Sequence, residues 1–297
     1  MMSGTKIFGD WGSTRFRLWR IEDGKAAGSV VLPGLLAQKG GPQAMLREAL
    51  QELGSSATRI LVCGMAGARG GLAEVPYLPC PATPEDIAQA VARVDSDGCE
   101  VVIVPGLSFS NLDGYCDVMR GEETQVIGAA NLCGGEDATF ILPGTHAKWV
   151  AWRDGRMVQF ATAMTGEMNA LLGSSSLLGE PLAPSATIDQ DGFAEGLARS
   201  DSDQPLTALL FAARSMRMTG QRSHEWARGY ISGLLIGHEV ARMQRLRWIA
   251  QNPPVLVAAG QLARCYEQAL AQVGAEARLL DPERCAIVGL EQIDALT

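Results

Sequence analysis

Two segments of this chain share one layout, and this repeat limits the fold more than any other feature of the sequence. Residues 6–21 (KIFGDWGSTRFRLWRI) and 142–162 (LPGTHAKWVAWRDGRMVQFAT) each place small polar residues between two stretches that alternate apolar and polar residues. Such a pattern predicts a β-hairpin with a polar tip. The glycine of an Asp-Gly pair follows 12 residues after Gly12 and 11 residues after Gly144. We interpret the repeat as two similar α/β domains, each contributing one hairpin tip.

Strand and helix signals alternate through the rest of the chain, which is typical of an α/β protein. A helix is expected from Thr83 through Val94, because Asp86 completes a capping box with Thr83. A second helix is expected over residues 223–246, and a cluster of Pro, Ser and Asp predicts a surface loop at residues 179–192. Short apolar runs predict strands at residues 60–63, 101–104, 140–142 and 255–258.

Composition narrows the classes of partner. The net charge is −8 and the pI about 5.0, so the chain has no general basic surface for nucleic acid or for an anionic membrane. No apolar run reaches the roughly 20 residues that span a bilayer. The seven cysteines form no C-x-x-C pair and are odd in number, which indicates reduced thiols and a cytoplasmic protein. A small-molecule partner is therefore expected.

The two hairpin tips have the composition of a phosphate site. Backbone N–H groups at a glycine turn, with hydroxyl groups beside them, form a concave site for anions. Asp10 would repel a phosphate directly but suits Mg²⁺, which favours a few carboxylates together with phosphate oxygens. A single turn of this kind is more often a plain turn with local hydrogen bonds, so the pairing of two tips carries the prediction. The candidate phosphate-binding residues are Gly12, Ser13, Thr14 and Arg15 in the first tip, and Gly144, Thr145, His146 and Lys148 in the second.

Three acids lie between the tips, in the segment CDVMRGEETQVIGAANL. Asp117, Glu122 and Glu123 precede a run with helical spacing, so we expect them at or near a helix N-terminus. There they would stabilise the helix through its macrodipole, or one of them would accept a proton from a substrate hydroxyl during phosphoryl transfer. Glu122 is the first choice for that base and Asp117 the second.

Two further segments suggest close packing and a ligand site. Gly229, Gly233 and Gly237 recur every fourth residue in one predicted helix, which leaves a bare face for another element. Ala259 and Gly260 form a turn between a predicted strand and helix. That turn is either an ordinary βα connection or a place where the backbone approaches a flat ligand such as adenine.

Together these residues resemble a known superfamily. DWGST, LPGTHAKW and LVAAGQL are similar to the two phosphate motifs and the adenosine motif of the sugar-kinase, heat-shock-chaperone and actin superfamily. The segments at residues 64–82, 117–129 and 164–167 resemble the 2-dehydro-3-deoxygalactonokinase family, over nearly the full chain. The resemblance implies an α/β fold of two ribonuclease-H-like (actin-like ATPase) domains, with a nucleotide cleft between them. It also implies ATP and Mg²⁺ as cofactors, and transfer of the γ-phosphate to the C6 hydroxyl of a keto-deoxy sugar acid.

The same resemblance implies roles for individual residues. Asp10 would hold the metal and also count among the catalytic residues, while Ala259 and Gly260 would lie near adenosine. The superfamily's usual base is an aspartate, which keeps Asp117 beside Glu122 as a candidate. Arg69 is expected to bind the substrate carboxylate, since a carboxylate needs a cationic or N–H partner. The residues expected to line the sugar-acid pocket are Met65, Arg69, Thr165 and Glu167.

The expected organisation is an N-terminal domain at residues 1–116 and a C-terminal domain at residues 117–297, with the last helix free to pack back on the first domain. The expected partners are the sugar acid and ATP, without nucleic acid or membrane, and a homodimer is left open. Two alternatives to the leading function stay open as well. One is a kinase for another sugar or sugar acid, and the other is a non-catalytic, nucleotide-gated sugar-acid sensor on the same fold.

Overall fold

A computed structural model describes residues 5–23, 25–37, 40–111, 114–174, 188–249 and 252–297. In these ranges the helices, in chain order, are α1 (Pro42–Glu52), α2 (Pro84–Gln89), α3 (Glu122–Leu132), α4 (Thr165–Ser174), α5 (Gln190–Arg199), α6 (Leu206–Met218), α7 (His224–Arg245), α8 (Gly260–Gln272) and α9 (Pro282–Leu296). The strands are β1 (Lys6–Trp11), β2 (Arg15–Glu22), β3 (Lys25–Pro33), β4 (Arg59–Gly64), β5 (Leu78–Pro79), β6 (Ala92–Ser96), β7 (Cys99–Ile103), β8 (Leu107–Ser110), β9 (Cys116–Met119), β10 (Ala138–Leu142), β11 (Ala147–Arg153), β12 (Arg156–Ala163), β13 (Val255–Val257) and β14 (Arg278–Leu280).

The chain divides into two compact units. Unit 1 comprises Met1–Asp137, Val150–Phe160 and Asp281–Thr297, and unit 2 comprises Ala138–Trp149 and Ala161–Leu280. These units group residues 117–137 with the N-terminal part of the chain, whereas the sequence-based division begins the second domain at residue 117. The division into domains at residues 116 and 117 stays a prediction.

Unit 1 contains a six-stranded sheet with the strand order β3-β2-β1-β4-β7-β6. β1 pairs antiparallel with β2 from Lys6↔Ile21 to Trp11↔Phe16, as the predicted hairpin requires. On its other side β1 runs parallel to β4, and β4 runs parallel to β7. Unit 1 also contains a three-stranded sheet with the order β5-β8-β9. Buried residues such as Trp11, Phe16 and Val101 form the core.

The sheet of β10 to β14 has the order β12-β11-β10-β13-β14. Its order corresponds to that of the first sheet. In both sheets three consecutive strands lie side by side, and a strand from later in the chain is added next to the first of them. That added strand runs parallel to its neighbour in both cases, β4 to β1 and β13 to β10. The core of unit 2 includes Trp149, Phe193 and Tyr266, all nearly inaccessible to solvent. The interpretation of the sequence repeat as a repeated α/β layout is therefore confirmed, as are the four predicted strands.

The predicted helix at residues 83–94 is wrong in its second half. Thr83 and Asp86 form the expected capping box, but α2 ends at Gln89 and Ala92–Ser96 forms the edge strand β6. β6 pairs antiparallel with β7 through a turn in which Asp97 and Gly98 have φ of 55° and 81°. Positive φ at both central residues is the geometry that Asp-Gly hairpins favour. The alternation in ARVDS and its Asp-Gly turn outweigh the weaker helical spacing.

The predicted helix at residues 223–246 is confirmed as α7, with Ser223 as its N-cap. Its glycine face packs against α5, since a Cβ at Gly233 would collide with the carbonyl oxygen of Phe193. The expected loop at residues 179–192 is wrong at its end, because α5 begins at Gln190. Residues 179–187 lie outside the described residues. In the part of the chain that the structure describes, no helix is both long and apolar enough to cross a membrane.

Candidate active site

The first hairpin tip is held by a neighbouring turn. Gly12 N donates to Arg15 O at 2.7 Å, which closes the tip. Gly34 N donates to Thr14 O at 2.9 Å, and the N–H groups of the next two residues donate to the carbonyls of Gly12 and Ser13. The side chains of Thr14 and Arg15 are exposed, while Ser13 is half-buried. The tip thus has a fixed backbone and accessible polar side chains.

Asp10, at the end of β1, has an unusual electrostatic environment. Its side chain is 16% exposed, with Arg17 Nη1 at 3.7 Å from Oδ2 and Cys63 Sγ at 3.9 Å from Oδ1. Burial raises the pKa of Asp10 to about 6; Arg17 opposes this change and the negative charge of Glu122 adds to it. Asp10 and Glu122, far apart in sequence, therefore interact in the folded chain.

A glycine brings the N-terminus of α3 to Asp10. Gly121 has a φ of 108°, and a Cβ there would lie 3.3 Å from Gly64 Cα and 3.9 Å from Asp10 Oδ1. Glu122 begins α3 and its Oε2 accepts from Arg120 N at 3.0 Å. The expected placement of Glu122 at a helix N-terminus is confirmed.

Asp117 does not share that placement. It lies on β9, where its Oδ1 accepts from Val118 N at 2.7 Å. The prediction places Asp117 at or near the helix N-terminus. Asp117 precedes that helix but lies on a strand, because β9 pairs with β8 as far as Met119 and the helix begins only at Glu122.

Glu123 is the buried acid of this group. Its side chain is fully inaccessible and both carboxylate oxygens accept from Gly121 N, at 2.9 and 2.7 Å. Burial raises the pKa of Glu123 to about 8, with a further contribution from Glu122, while hydrogen bonds oppose the change. The sequence places Glu122 and Glu123 at the same helix end and contains no signal that separates their environments.

Arg120 is a residue that the sequence reasoning missed. Its Nη2 donates to Val75 O at 2.7 Å and its guanidinium lies 4.3 Å from the centre of the Tyr77 ring. Its Nε and Nη1 atoms are buried without a hydrogen-bond partner among the described residues. A Cβ at Gly67 would lie 2.7 Å from Nη1, so Arg120 lies against the segment expected to line the sugar-acid pocket. In that segment Met65 is half-buried and Arg69 is exposed.

The second tip, Gly144, Thr145 and His146, is exposed and lies against the start of α4. Glu167 N donates to Thr145 O at 2.9 Å, and the Glu167 carboxylate lies 2.6 Å from His146 Nε2. A Cβ at Gly166 would collide with the carbonyl oxygen of Gly144. The structure thus joins a predicted phosphate loop to the predicted sugar-acid segment at residues 164–167.

The remaining candidates of unit 2 differ in exposure. Lys148 is buried on β11 and donates to Thr162 Oγ1 at 2.7 Å, so its ammonium does not lie at the exposed tip. Thr165 is buried and donates to Glu239. Ala259 and Gly260 are exposed at the start of α8, where no atom of the described residues lies within 4 Å of a Cβ built on Gly260. Binding roles for all these residues stay predictions.

Two cavities in unit 1 lie away from the candidate residues. One, of about 350 Å³, lies between α1 and the turn after β6, and the other, of about 440 Å³, lies beside β5 and α2. Within the described ranges, no group of three or more His, Cys, Asp or Glu side chains is placed to hold a metal ion. Mg²⁺ takes few protein ligands and completes its shell with phosphate oxygens and water, so the role of Asp10 as its ligand does not require such a group and stays a prediction.

Comparison with known proteins decides the family. A model of the 2-keto-3-deoxy-galactonokinase family matches residues 10–293. The chain belongs to the 2-keto-3-deoxy-galactonokinase family. It is 33% identical over 295 residues to the 2-dehydro-3-deoxygalactonokinase of Escherichia coli K12, covering 98% of each chain. The predicted membership of this enzyme family is confirmed.

Solved structures agree with the fold. A Sinorhizobium meliloti protein provisionally assigned to the same enzyme class is 31% identical, with a TM-score of 0.88 over 97% of this chain and 95% of that one. Component A of the (R)-2-hydroxyglutaryl-CoA dehydratase of Acidaminococcus fermentans has a TM-score of 0.55 at 13% identity, over 99% of both chains, which shows the fold alone. The predicted fold class, α/β with two ribonuclease-H-like domains, is confirmed.

Proposed function

We propose that this protein is an ATP-dependent kinase acting on 2-dehydro-3-deoxy-D-galactonate in D-galactose and galactonate catabolism. It would phosphorylate the C6 hydroxyl and release 2-dehydro-3-deoxy-6-phosphogalactonate and ADP. The observation that carries the proposal is the family match from residue 10 to residue 293, together with a named kinase relative covered over 98% of both chains. The substrate and the kinase reaction are inferred from the name of that relative, and the C6 position and the pathway from the family resemblance. The side chains described above would supply the chemistry.

Asp10 and Glu122 would have different roles in phosphoryl transfer. Asp10 would hold Mg²⁺, which supplies charge neutralisation on the phosphate oxygens when bound. Glu122 would accept the proton of the C6 hydroxyl as the new P–O bond forms. Its hydrogen bond from Arg120 N orients the carboxylate, and its charge interacts with that of Asp10. Asp117 is the second candidate for the base.

The binding roles follow the tips and the turns. Gly12 to Arg15 would bind phosphate in one unit, and Gly144 to His146 in the other. Lys148, whose ammonium is buried and donates to Thr162 Oγ1, would add positive charge without touching the phosphate. The pair of His146 and Glu167 supports this role, because a carboxylate on one ring nitrogen fixes which way the imidazole presents its other nitrogen. Ala259 and Gly260 would lie along the adenosine.

The sugar acid would be bound by residues 64–71 and by the start of α4. Arg69 would pair with the substrate carboxylate, since its side chain is exposed and follows the short helix Met65–Gly67. Met65, Thr165 and Glu167 would complete the pocket. We also infer a cytoplasmic location, in keeping with seven cysteines of which no two form a disulfide. A homodimer is compatible with these assignments.

ADP release tests the proposal. The purified protein is assayed with Mg·ATP and 2-dehydro-3-deoxy-D-galactonate, its gluconate epimer, galactonate, galactose, glycerol, or no acceptor. Turnover that depends on the first compound supports the proposed substrate. Turnover on a different acceptor would show that the proposed substrate is wrong while the kinase activity is correct. ATP binding without turnover on any acceptor would favour the nucleotide-gated sensor instead.

A further inference from the structure

Glu239 is a buried acid for which the proposed function has no use. It lies on α7, 6% exposed. In an α-helix a residue two positions after Gly237 points to nearly the opposite side. Glu239 therefore faces away from α5, which packs on the glycine face, and towards β11, α4 and α8.

Its carboxylate joins those three elements. Oε1 accepts from Trp149 Nε1 at 2.7 Å, and Oε2 accepts from Tyr266 OH at 2.9 Å and from Thr165 Oγ1. These partners are all neutral, and burial raises the pKa of Glu239 while the three hydrogen bonds oppose that change. A buried acid without a cation gives little net stability compared with an apolar residue of similar size. A role in stability alone therefore explains it poorly.

Thr165 connects this carboxylate to the exposed loop. Thr165 is the first residue of α4, and the two residues after it make the contacts with Gly144, Thr145 and His146 described above. Trp149 and Tyr266 bind the same carboxylate from β11 and α8, respectively. A path of direct contacts therefore runs from Glu239 through the start of α4 to the loop.

We propose that Glu239 is a positioning residue for phosphoryl transfer, which fixes the loop at residues 144–146 by holding Thr165. This inference rests on the proposed function only for its kinetic consequence. The positioning itself is a property of unit 2 that is measurable without substrate. Glu239 touches no reacting atom in this account.

Two single-hydroxyl deletions on the same carboxylate oxygen test it. Thr165→Val and Tyr266→Phe each remove one donor to Oε2 and keep the shape of the side chain. We expect Thr165→Val to increase amide hydrogen exchange at residues 144–146 and to lower kcat/KM for ATP at least about tenfold. Tyr266→Phe should leave loop exchange unchanged and kcat/KM for ATP within about threefold of the wild type. Its loss of thermal stability should be similar to that of Thr165→Val, because each variant removes one hydrogen bond to the same oxygen.

Glu239→Gln serves as the conservative variant. An amide still accepts from Trp149, and its N–H groups can donate to the hydroxyls of Thr165 and Tyr266, so all three hydrogen bonds have a counterpart. Loop exchange and kcat/KM should therefore remain close to those of the wild type. If Glu239→Gln increased loop exchange and lowered kcat/KM as much as Thr165→Val, positioning through the Thr165 hydroxyl would be contradicted.

Equal effects of Thr165→Val and Tyr266→Phe on loop exchange would overturn the proposal, as would unchanged exchange in Thr165→Val. If Thr165→Val does not fold, Thr165→Ala, which also lacks the hydroxyl, replaces it. Failure of the proposed function is a separate result, because it would appear as wild-type protein that does not turn over the sugar acid. The exchange comparison then still decides the role of Glu239.

Discussion

At the scale of single residues, neighbouring acids at the start of α3 have different environments. Glu122 is half-buried and interacts with Asp10, whereas Glu123 is fully buried and holds Gly121 through both oxygens. The sequence does not predict this difference, because the two residues are of the same type and adjacent in the chain. It arises because successive helical residues point about 100° apart, so that one side chain faces Asp10 while the next enters the core.

Substitution of the proposed base should lower the rate of the chemical step. Glu122→Gln keeps the size and the hydrogen bond from Arg120 N but cannot accept a full proton, so kcat should fall by about 100-fold or more. Asp117→Asn should change kcat by less, since its carboxylate already accepts from Val118 N. Steady-state kinetics with the sugar acid measures both, and Glu136→Gln, on an exposed position, is the control. A larger effect in Asp117→Asn would transfer the role to that residue.

Glu123 should make the stability depend on pH. The pKa of Glu123 is raised from 4.5 to about 8, so between these values the folded protein keeps a proton that the unfolded chain releases. Its contribution to stability is present at low pH and is lost as the pH rises through about 8. Between pH 4.5 and about 8, the free energy of unfolding of Glu123→Gln should rise relative to that of the wild type by up to about 1.4 kcal/mol per pH unit.

Urea unfolding of both proteins at about pH 5.5 and pH 8 measures this difference. Asp10 titrates in both proteins, so its contribution cancels in the comparison. A difference in the free energy of unfolding that stays constant between the two pH values would show that Glu123 titrates alike in the folded and unfolded chains.

Arg69 tests the assignment of the substrate carboxylate. Arg69→Met removes the charge from an exposed side chain, so the fold should be unchanged, while KM for the sugar acid should rise by about tenfold or more. KM for ATP should stay the same. Arg156→Met, which removes an exposed arginine elsewhere, is the control. An effect on ATP alone would place Arg69 at the nucleotide, and no effect would favour Arg120 as the cation of this pocket.

At the scale of elements, the sequence predicts those whose periodicity is unambiguous. Both hairpins, the strand at β4 and the long helix α7 follow directly from alternation, apolar runs and the Ser223 cap. The region after Thr83 does not, because its apolar residues fit both a helix and a strand until pairing with β7 decides for the strand. Propensity is a weak guide wherever an edge strand is stabilised by a neighbour that lies later in the chain.

The close packing of α5 on α7 should allow only glycine at position 233. Gly233→Ala places a Cβ against the carbonyl oxygen of Phe193, so we expect a loss of about 2 kcal/mol or more in the free energy of unfolding. Gly173→Ala is the matched control, because among the described residues this helical glycine has only Arg228 Nε within reach of a Cβ, at 3.6 Å. Better helix propensity should make that variant equal to or more stable than the wild type. Denaturant unfolding compares them, and equal losses would contradict the close approach.

At the scale of the whole molecule, two sheets with a corresponding strand order account for the repeat that the sequence displays. The fold was predictable because each copy contains its own hairpin, core and following parallel strand. The candidate site was predictable only in part. Short motifs identify the tips, but the contact of Arg120 with residues 67–77 and the burial of Glu239 depend on tertiary packing that local patterns do not encode.

The proposed function requires transfer of phosphate from ATP to C6 of 2-dehydro-3-deoxy-D-galactonate. Phosphorus and proton NMR of the product formed with Mg·ATP tests it most directly, because phosphorus coupling to the C6 protons identifies the esterified oxygen. We predict one phosphomonoester on C6, formed in equal amount with ADP and absent without the sugar acid. A phosphate on another hydroxyl, or release of inorganic phosphate without a sugar product, would contradict the proposed reaction.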